Sequence, residues 1–366
     1  MATSFKAVDV SYRIGCGRYI QESGALNLLP AEVRRLGKKH AFVLADSVTL
    51  PLAGERAAEL LRADGLQAEV CVYDLFCCQE EAKRLIASDA FRACDIVVGV
   101  GGGNILDYAK LCAVWAGMPV ICAPTSSATC AAFTPLSVTY NERFQTVGTV
   151  HHLIEVNAVV ADMDILCRQP ARLLTAGAYD AAAKLIETAQ RLKDRPEEEI
   201  NIGVRAAYEL SKFTYRRLLE DLPQARLDVQ AGKNTKAVYD VVYNAIAATG
   251  AVSGMARGSN QTAIAHKVYE ISRVLFPDTV RYRLHGELVA TGLVAQLHYN
   301  GEPERAEEFR ARLAGDGMPG RLSDIGLPAT EETLDAYYQK LLVSSAMAGT
   351  DAEEHARLRR ALAAIL

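Results

Sequence analysis

Three short apolar runs alternate with stretches of helical spacing early in the chain, and the third run passes straight into glycine. AFVLAD, from Ala41 to Asp46, is short, apolar and β-branched at its centre, the pattern of a buried parallel strand. GERAAELLRADG predicts a helix, QAEVCVY a second strand, QEEAKRLIAS a helix and CDIVVGVGGG a third strand. NILDYAKLCAVWAG then predicts a helix, and MPVICAPTS a strand that stops at Pro124 and a polar turn. Strands separated by helices in this order imply a parallel sheet covered on both faces.

Beyond about Asp162 the texture changes. Ala, Leu, Glu, Arg and Lys dominate, and AAYELSKFTYRRLLEDL, KAVYDVVYNAIAATGAVSG and AEEFRARLAGDG carry apolar residues every three or four positions, which predicts helices. A chain of 366 residues exceeds one ordinary core. Two domains are expected: an α/β unit over residues 1–162 with a parallel sheet, and an all-α unit over 163–366, meeting directly with a cleft between sheet edge and helices.

Composition narrows the function classes. Half the residues are apolar, 23% are charged and the net charge is -4, with Lys and Arg interspersed among Asp and Glu; no nucleic-acid surface is expected. The opening MATSFKAVDVSYRIG has no basic stretch followed by an apolar one, and no apolar run reaches membrane-spanning length. Nine cysteines, odd in number and without CxxC spacing, suit a reducing cytoplasm better than a disulfide framework or a zinc ribbon; most are expected to be small buried hydrophobes.

The glycine turn Gly99-Val100-Gly101-Gly102-Gly103-Asn104 is not the GxGxxG fingerprint, because Asn104 stands where the last Gly would be. It retains the physical essentials of a phosphate site: backbone able to approach a pyrophosphate, and a helix start with unpaired N–H groups. A ligand-free strand-to-helix turn is an equal alternative on these residues. Asp107, one turn into the helix, either caps N–H groups or accepts from a cofactor. The turn Pro124 to Cys130 follows the next strand and lies on the same sheet edge, so the two loops form a crevice.

GGGNILDYAK, PTSSATCAAFTPLSVTY, AGAYDAAAKLIE and LHGELVATG, with RYIQESGAL near the start, together resemble the iron-containing, or group III, alcohol dehydrogenases, in the glycerol-dehydrogenase-like branch. The resemblance runs from about Arg18 to Gly292. It implies the dehydroquinate-synthase-like fold of that family: an α/β dinucleotide-binding domain, a helical domain, and a divalent metal between them. The family's metal ligands match Asp180, His266 and His285. Two imidazoles and a carboxylate suit an open catalytic zinc or iron(II) site, since a structural zinc is normally closed by four ligands. Contacts to the cofactor pyrophosphate carry over onto Gly102, Gly103, Asn104 and Asp107; Thr125, Ala128, Thr134, Leu136 and Tyr140 match positions around the nicotinamide half. Asp46, at the end of the first clear strand, is placed to bind a ribose 2'-OH and to repel a 2'-phosphate, which favours NAD over NADP.

The resemblance implies hydride transfer between NAD(H) and a small alcohol or carbonyl compound, in a homo-oligomer of the kind common in the family. Cys130 stands where glycerol dehydrogenases usually have an Asp facing substrate hydroxyls, and ATCAAFTPLSVTYN is more similar to hydroxycarboxylate dehydrogenases. A 2-hydroxy or 2-oxo acid is therefore the leading substrate class and a glycerol-like polyol the other, with Cys130 and Phe133 lining the pocket. Tyr269 replaces a second histidine frequent in the family. Lys184 and Glu187 follow Asp180 at helical spacing and read as a stabilising surface pair, and His40, His151, His152, His298 and His355 read as ordinary surface or core histidines. The runner-up is a phosphate-substrate enzyme of the same fold, glycerol-1-phosphate-dehydrogenase-like or a dehydroquinate-synthase-like lyase. It needs a basic cluster near the metal, for which Lys267, Arg273, Arg281 and Arg283 are the candidates.

Overall fold

The computed structural model describes residues 13–256 and 258–366; most of the opening segment read for a leader lies outside them. Eight strands are present among the described residues: β1 (Tyr19–Glu22), β2 (His40–Ala45), β3 (Gln67–Val72), β4 (Ile96–Gly101), β5 (Val120–Pro124), β6 (Leu136–Tyr140), β7 (Thr146–His151) and β8 (Ala158–Asp162). Six of them form one parallel sheet in the order β1-β8-β5-β4-β2-β3, as the alternation of strands and helices requires.

Both faces of the sheet are covered. Along β2, Ala41, Val43 and Ala45 enter the apolar cluster beneath helices Leu29–Arg35 and Glu55–Ala63, while Phe42 and Leu44 enter a second cluster on the opposite face. Strands β4, β5 and β8 divide in the same way, which is the two-residue period of a strand buried on both sides. The second cluster is continuous with the core of the later helices. Every element after β8 among the described residues is helical, beginning with Met163–Leu166 and the long Ala171–Leu192.

No element is expected from the sequence between the Pro124 turn and Asp162. The structure has an antiparallel hairpin there, β6 with β7, followed by β8 in the sheet. Lys110 pins the hairpin to helix Gly103–Trp115: its ammonium, 1% exposed, donates to Ala131 O at 2.6 Å, Thr134 O at 2.9 Å and Leu136 O, and lies 2.9 Å from Asp107 Oδ1.

All nine cysteines are unpaired and five are buried, in keeping with their reading as small hydrophobes. No helix among the described residues is long and apolar enough to cross a membrane.

Candidate metal and cofactor site

The chain order of the sheet reverses between β2 and β4, so the connections on either side of this point leave in opposite directions and open a crevice at the strand C-termini. Two loops meet there. Asp46 follows β2 and its Oδ1 accepts from Val48 N at 3.0 Å and Thr49 N at 2.7 Å, while Thr49 Oγ1 donates to Val100 O of β4 at 3.1 Å. The glycine turn follows β4. Helix Gly103–Trp115 starts from Gly102 in extended conformation with no side-chain cap, leaving its first N–H groups for a ligand. The polar turn after β5 lies alongside, with Thr125 N donating to Gly101 O at 3.0 Å. A Cβ at Gly103 would stand 2.7 Å from Thr129 Oγ1, so the turn admits only glycine without displacement.

The structure gives several resemblance-derived residues internal partners. Asn104 Oδ1 accepts from Cys77 N and its Nδ2 donates to Leu75 O, both at 2.7 Å, so its side chain fixes the loop beside the turn. The Asp107 carboxylate, on a residue 6% exposed, faces Lys110 and accepts from Val138 N at 3.0 Å. Burial pushes its pKa up, against the pull of Lys110. Thr134 and Leu136 present carbonyls to Lys110, and Tyr140 shares a 2.9 Å hydroxyl contact with Tyr269. Ala128 is half-buried in the loop that meets helix Ala171–Leu192. Phe133 lies against Gly15 and Gly250, with Tyr19 edge-on at 5.9 Å; its ring fills an interior junction.

Across the crevice, three helices bring Asp180, His266 and His285 together, their ligand atoms all within 4.8 Å of one another. Asp180 lies in Ala171–Leu192, His266 in the first turn of Ile264–Leu275, and His285 opens His285–Asn300. Close helix approach permits this convergence. A Cβ on Gly286 would lie 1.9 Å from Ala176 O, and one on Gly177 would lie 1.8 Å from Ser127 O. Glu287 caps the start of the His285 helix, accepting from Leu284 N at 2.9 Å, and is held in turn by Arg172 at 2.6 and 2.7 Å.

Asp180 Oδ1 is 3.4 Å from His266 Nε2 and 3.2 Å from His285 Nε2. Donors about 2.0 to 2.1 Å from a tetrahedral metal stand about 3.3 to 3.4 Å apart, close to these two separations. Asp180 Oδ1 is buried with no hydrogen-bond partner, which a native site tolerates when a cation satisfies the oxygen. Burial raises the Asp180 pKa, but His285 and His266 outweigh it and hold the carboxyl well below its usual range.

Glu187 decides how His266 is presented. It is fully buried; Oε1 accepts from Ala263 N at 2.7 Å and His266 N at 2.9 Å, and Oε2 faces His266 Nδ1. The carboxylate thus caps one helix and leaves Nε2 directed at Asp180. Burial lowers the His266 pKa, yet the Glu187 charge prevails and brings it up to about 9. The expectation of a Lys184 and Glu187 surface pair is corrected here: both are buried, and Glu187 serves His266. Spacing along one helix could not reveal this, because the partner lies 79 residues away.

Residues 16–163 match the family described as iron-containing alcohol dehydrogenase. Glycerol dehydrogenase of Thermotoga maritima is 31% identical over 318 residues, spanning 86% of this chain and 85% of that protein. The chain belongs to the iron-containing alcohol dehydrogenase family. Hydroxycarboxylate dehydrogenase A of Escherichia coli K12 is 33% identical over 251 residues, 68% of this chain and 67% of that protein. The crystal structure of glycerol dehydrogenase from Schizosaccharomyces pombe superposes with a TM-score of 0.83 at 22% identity, covering 98% of this chain and 91% of that one. As a member of the family, this dehydrogenase is a nicotinamide-linked, metal-dependent oxidoreductase acting on the CH–OH group of a small molecule.

Proposed function

We propose that Asp180, His266 and His285 hold one divalent ion, zinc or iron(II), and that the dehydrogenase moves hydride between NAD(H) and a small 2-hydroxy or 2-oxo acid, with a glycerol-like polyol as the other candidate. The observation that carries the metal assignment is the convergence of the three donors on a buried carboxylate oxygen without a hydrogen bond. When bound, the ion supplies Lewis acidity, polarising a carbonyl or lowering the pKa of an alcohol.

The chain's own residues do the positioning. The uncapped helix start at Gly103 receives the pyrophosphate, and Asp46, with one oxygen committed to its own turn, offers the other to a ribose hydroxyl. That choice favours NAD over NADP. NAD, when bound, would accept the hydride of the alcohol and NADH would return it to the carbonyl, the hydroxyl proton being exchanged with water. Asn104, Asp107, Thr134 and Leu136 support the cofactor chiefly by fixing the loops around it, on the internal contacts described above. A division into a cofactor-binding unit, 1–162, and a metal-binding unit, 163–366, belongs to this reading. So does a cytoplasmic homo-oligomer, supported by nine unpaired thiols and by exposed apolar side chains such as Phe213 and Leu227 on helix Ile202–Gln230.

The phosphate-substrate alternative finds little support in its proposed cations. Arg273 donates to the carbonyls of Val280, Arg281 and Arg283, Arg281 stacks on Phe144 at 3.5 Å, Arg283 donates to Asp324 O at 3.2 Å and Lys267 pairs with Glu270 at 2.5 Å.

The test is NADH oxidation and NAD reduction on 2-oxo acids, 2-hydroxy acids, glycerol and vicinal diols, after chelation and restoration of zinc or iron(II). Metal-dependent turnover favouring acids supports the assignment. Full activity without metal would refute the ligand assignment, and turnover of polyols alone would refute the substrate class.

A further inference from the structure

Among the described residues, the cleft contains a charge that neither the proposed ligand set nor the fold uses. Lys184 lies one turn beyond Asp180 and three residues before Glu187 on helix Ala171–Leu192, so the three side chains share a face. It is 6% exposed, and among the described residues no hydrogen bond or ion pair takes up its ammonium. Its helix meets the loop after β5 at Gly177, where a Cβ would lie 1.8 Å from Ser127 O, and carries Asp180 one turn before Lys184, so Lys184 lies on the helix face shared by that loop and the three converging donors.

An ammonium on a largely buried residue that meets the cleft without a protein partner among the described residues offers a point for an anion to bind. Its neighbours offer none to spare. Asp180 faces two histidines, Glu187 is committed to His266 and two backbone N–H groups, and Asp107 faces Lys110. Cys130 is no counter-ion: burial, the largest influence on it, pushes its thiol up to about 11, leaving it neutral near pH 7. A divalent ion on Asp180 would add further positive charge.

We propose that Lys184 Nζ binds the carboxylate of a 2-oxo or 2-hydroxy acid and makes this dehydrogenase prefer acids to neutral polyols. The inference rests on the hydride-transfer reading above and extends it to the substrate-recognition group. Lys184 fixes one end of the substrate so that C2 faces the cofactor. A single ammonium suits a carboxylate better than a phosphate ester, given that Arg273, Arg281, Arg283 and Lys267 are engaged elsewhere among the described residues.

The experiment titrates oxamate, a 2-oxo-acid mimic that accepts no hydride, into the zinc-loaded NADH complex of the wild type, K184M and K184R, with binding read from NADH fluorescence. K184M is expected to weaken oxamate binding by roughly thirtyfold or more, and K184R by far less, as for loss of one buried charge contact. In parallel, the kcat/KM ratio for 2-oxobutyrate over dihydroxyacetone should fall by a similar factor in K184M, with KM carrying most of the change. Equal oxamate affinity in wild type and K184M overturns the proposal, as does equal loss on the acid and the neutral ketone. Failure of the wild type to bind oxamate, or its displacement by lower concentrations of inorganic phosphate, also overturns it. A wild type that turns over none of these compounds refutes the hydride-transfer reading, while the titration still decides the role of Lys184.

Discussion

Glu187 shows how a residue that touches neither metal nor substrate governs a site. One carboxylate satisfies two N–H groups at a helix start and holds the imidazole of His266 from behind, with burial opposing and His266 favouring its charge. E187Q is expected to weaken zinc affinity by about 10- to 100-fold in a chelator-competition titration, because such supporting partners orient a ligand and raise its basicity. Unchanged affinity would reduce Glu187 to a helix cap. A second residue-scale prediction concerns His152, which is 3% exposed. Ser137 Oγ donates to Asp107 O at 2.7 Å, so His152 Nε2 is the donor in their 2.8 Å contact and Nδ1 is left buried without a partner. Burial lowers its pKa to about 4 from an ordinary value of 6.5. The unfolded chain takes up that proton first as pH falls, so the stabilisation is complete above pH 6.5 and is lost progressively toward pH 4. Between pH 7.5 and 5 the wild type should lose about 2 kcal/mol more than H152Q in urea unfolding; equal losses would contradict this. At this scale the sequence was only partly legible. Asp180, His266 and His285 lie 105 residues apart from first to last, and resemblance, not spacing, singled them out. Glu187 and Lys184 were misread because a helical period reports which residues share a face and not which face is buried.

At the level of elements, glycine and lysine hold the pieces in place. Helix His285–Asn300 approaches Ala171–Leu192 so closely that a methyl group at Gly286 would lie 1.9 Å from the Ala176 carbonyl oxygen. G286A is therefore expected to destabilise the protein by about 1 to 3 kcal/mol and to lower its zinc content, measured by denaturant unfolding and elemental analysis. Retention of both would show that the helices yield without disturbing His285. Lys110 binds the hairpin to the cofactor-side helix, and K110M would leave Asp107 buried against an apolar side chain, at a cost of about 3 to 5 kcal/mol. Adding D107N should recover part of that loss; a double variant no more stable than K110M would argue against the ion pair. The parallel strands were legible because they are buried on both faces and read as continuous apolar runs. The β6–β7 hairpin was not, since the buried positions of β6 are Ser137 and Thr139, while apolar Leu136 and Val138 are only half-buried. Their polarity hides the two-residue period from any hydropathy pattern.

For the whole molecule, the arrangement follows from placing a parallel sheet edge against a helical layer. The sheet contributes the glycine turn and the Asp46 loop, the helices contribute Asp180, His266 and His285, and the hairpin reaches across, with Tyr140 meeting Tyr269 and Gln145 Nε2 donating to Val274 O at 3.1 Å. Tyr269 in turn lies edge-on to His285, with ring centroids 4.2 Å apart. The sequence conveyed this architecture because its texture changes at Asp162, where the last strand ends. The cleft's interior depends on contacts between distant segments and became visible only in the folded chain. The most direct test of the metal centre is the metal content of wild type, D180N, H266A and H285A after loading with zinc or iron(II) and desalting. About one ion per chain in the wild type, and less than about a tenth in each variant, is the predicted result for a three-ligand catalytic site. Equal metal content in all four proteins would place the ion elsewhere and contradict the account.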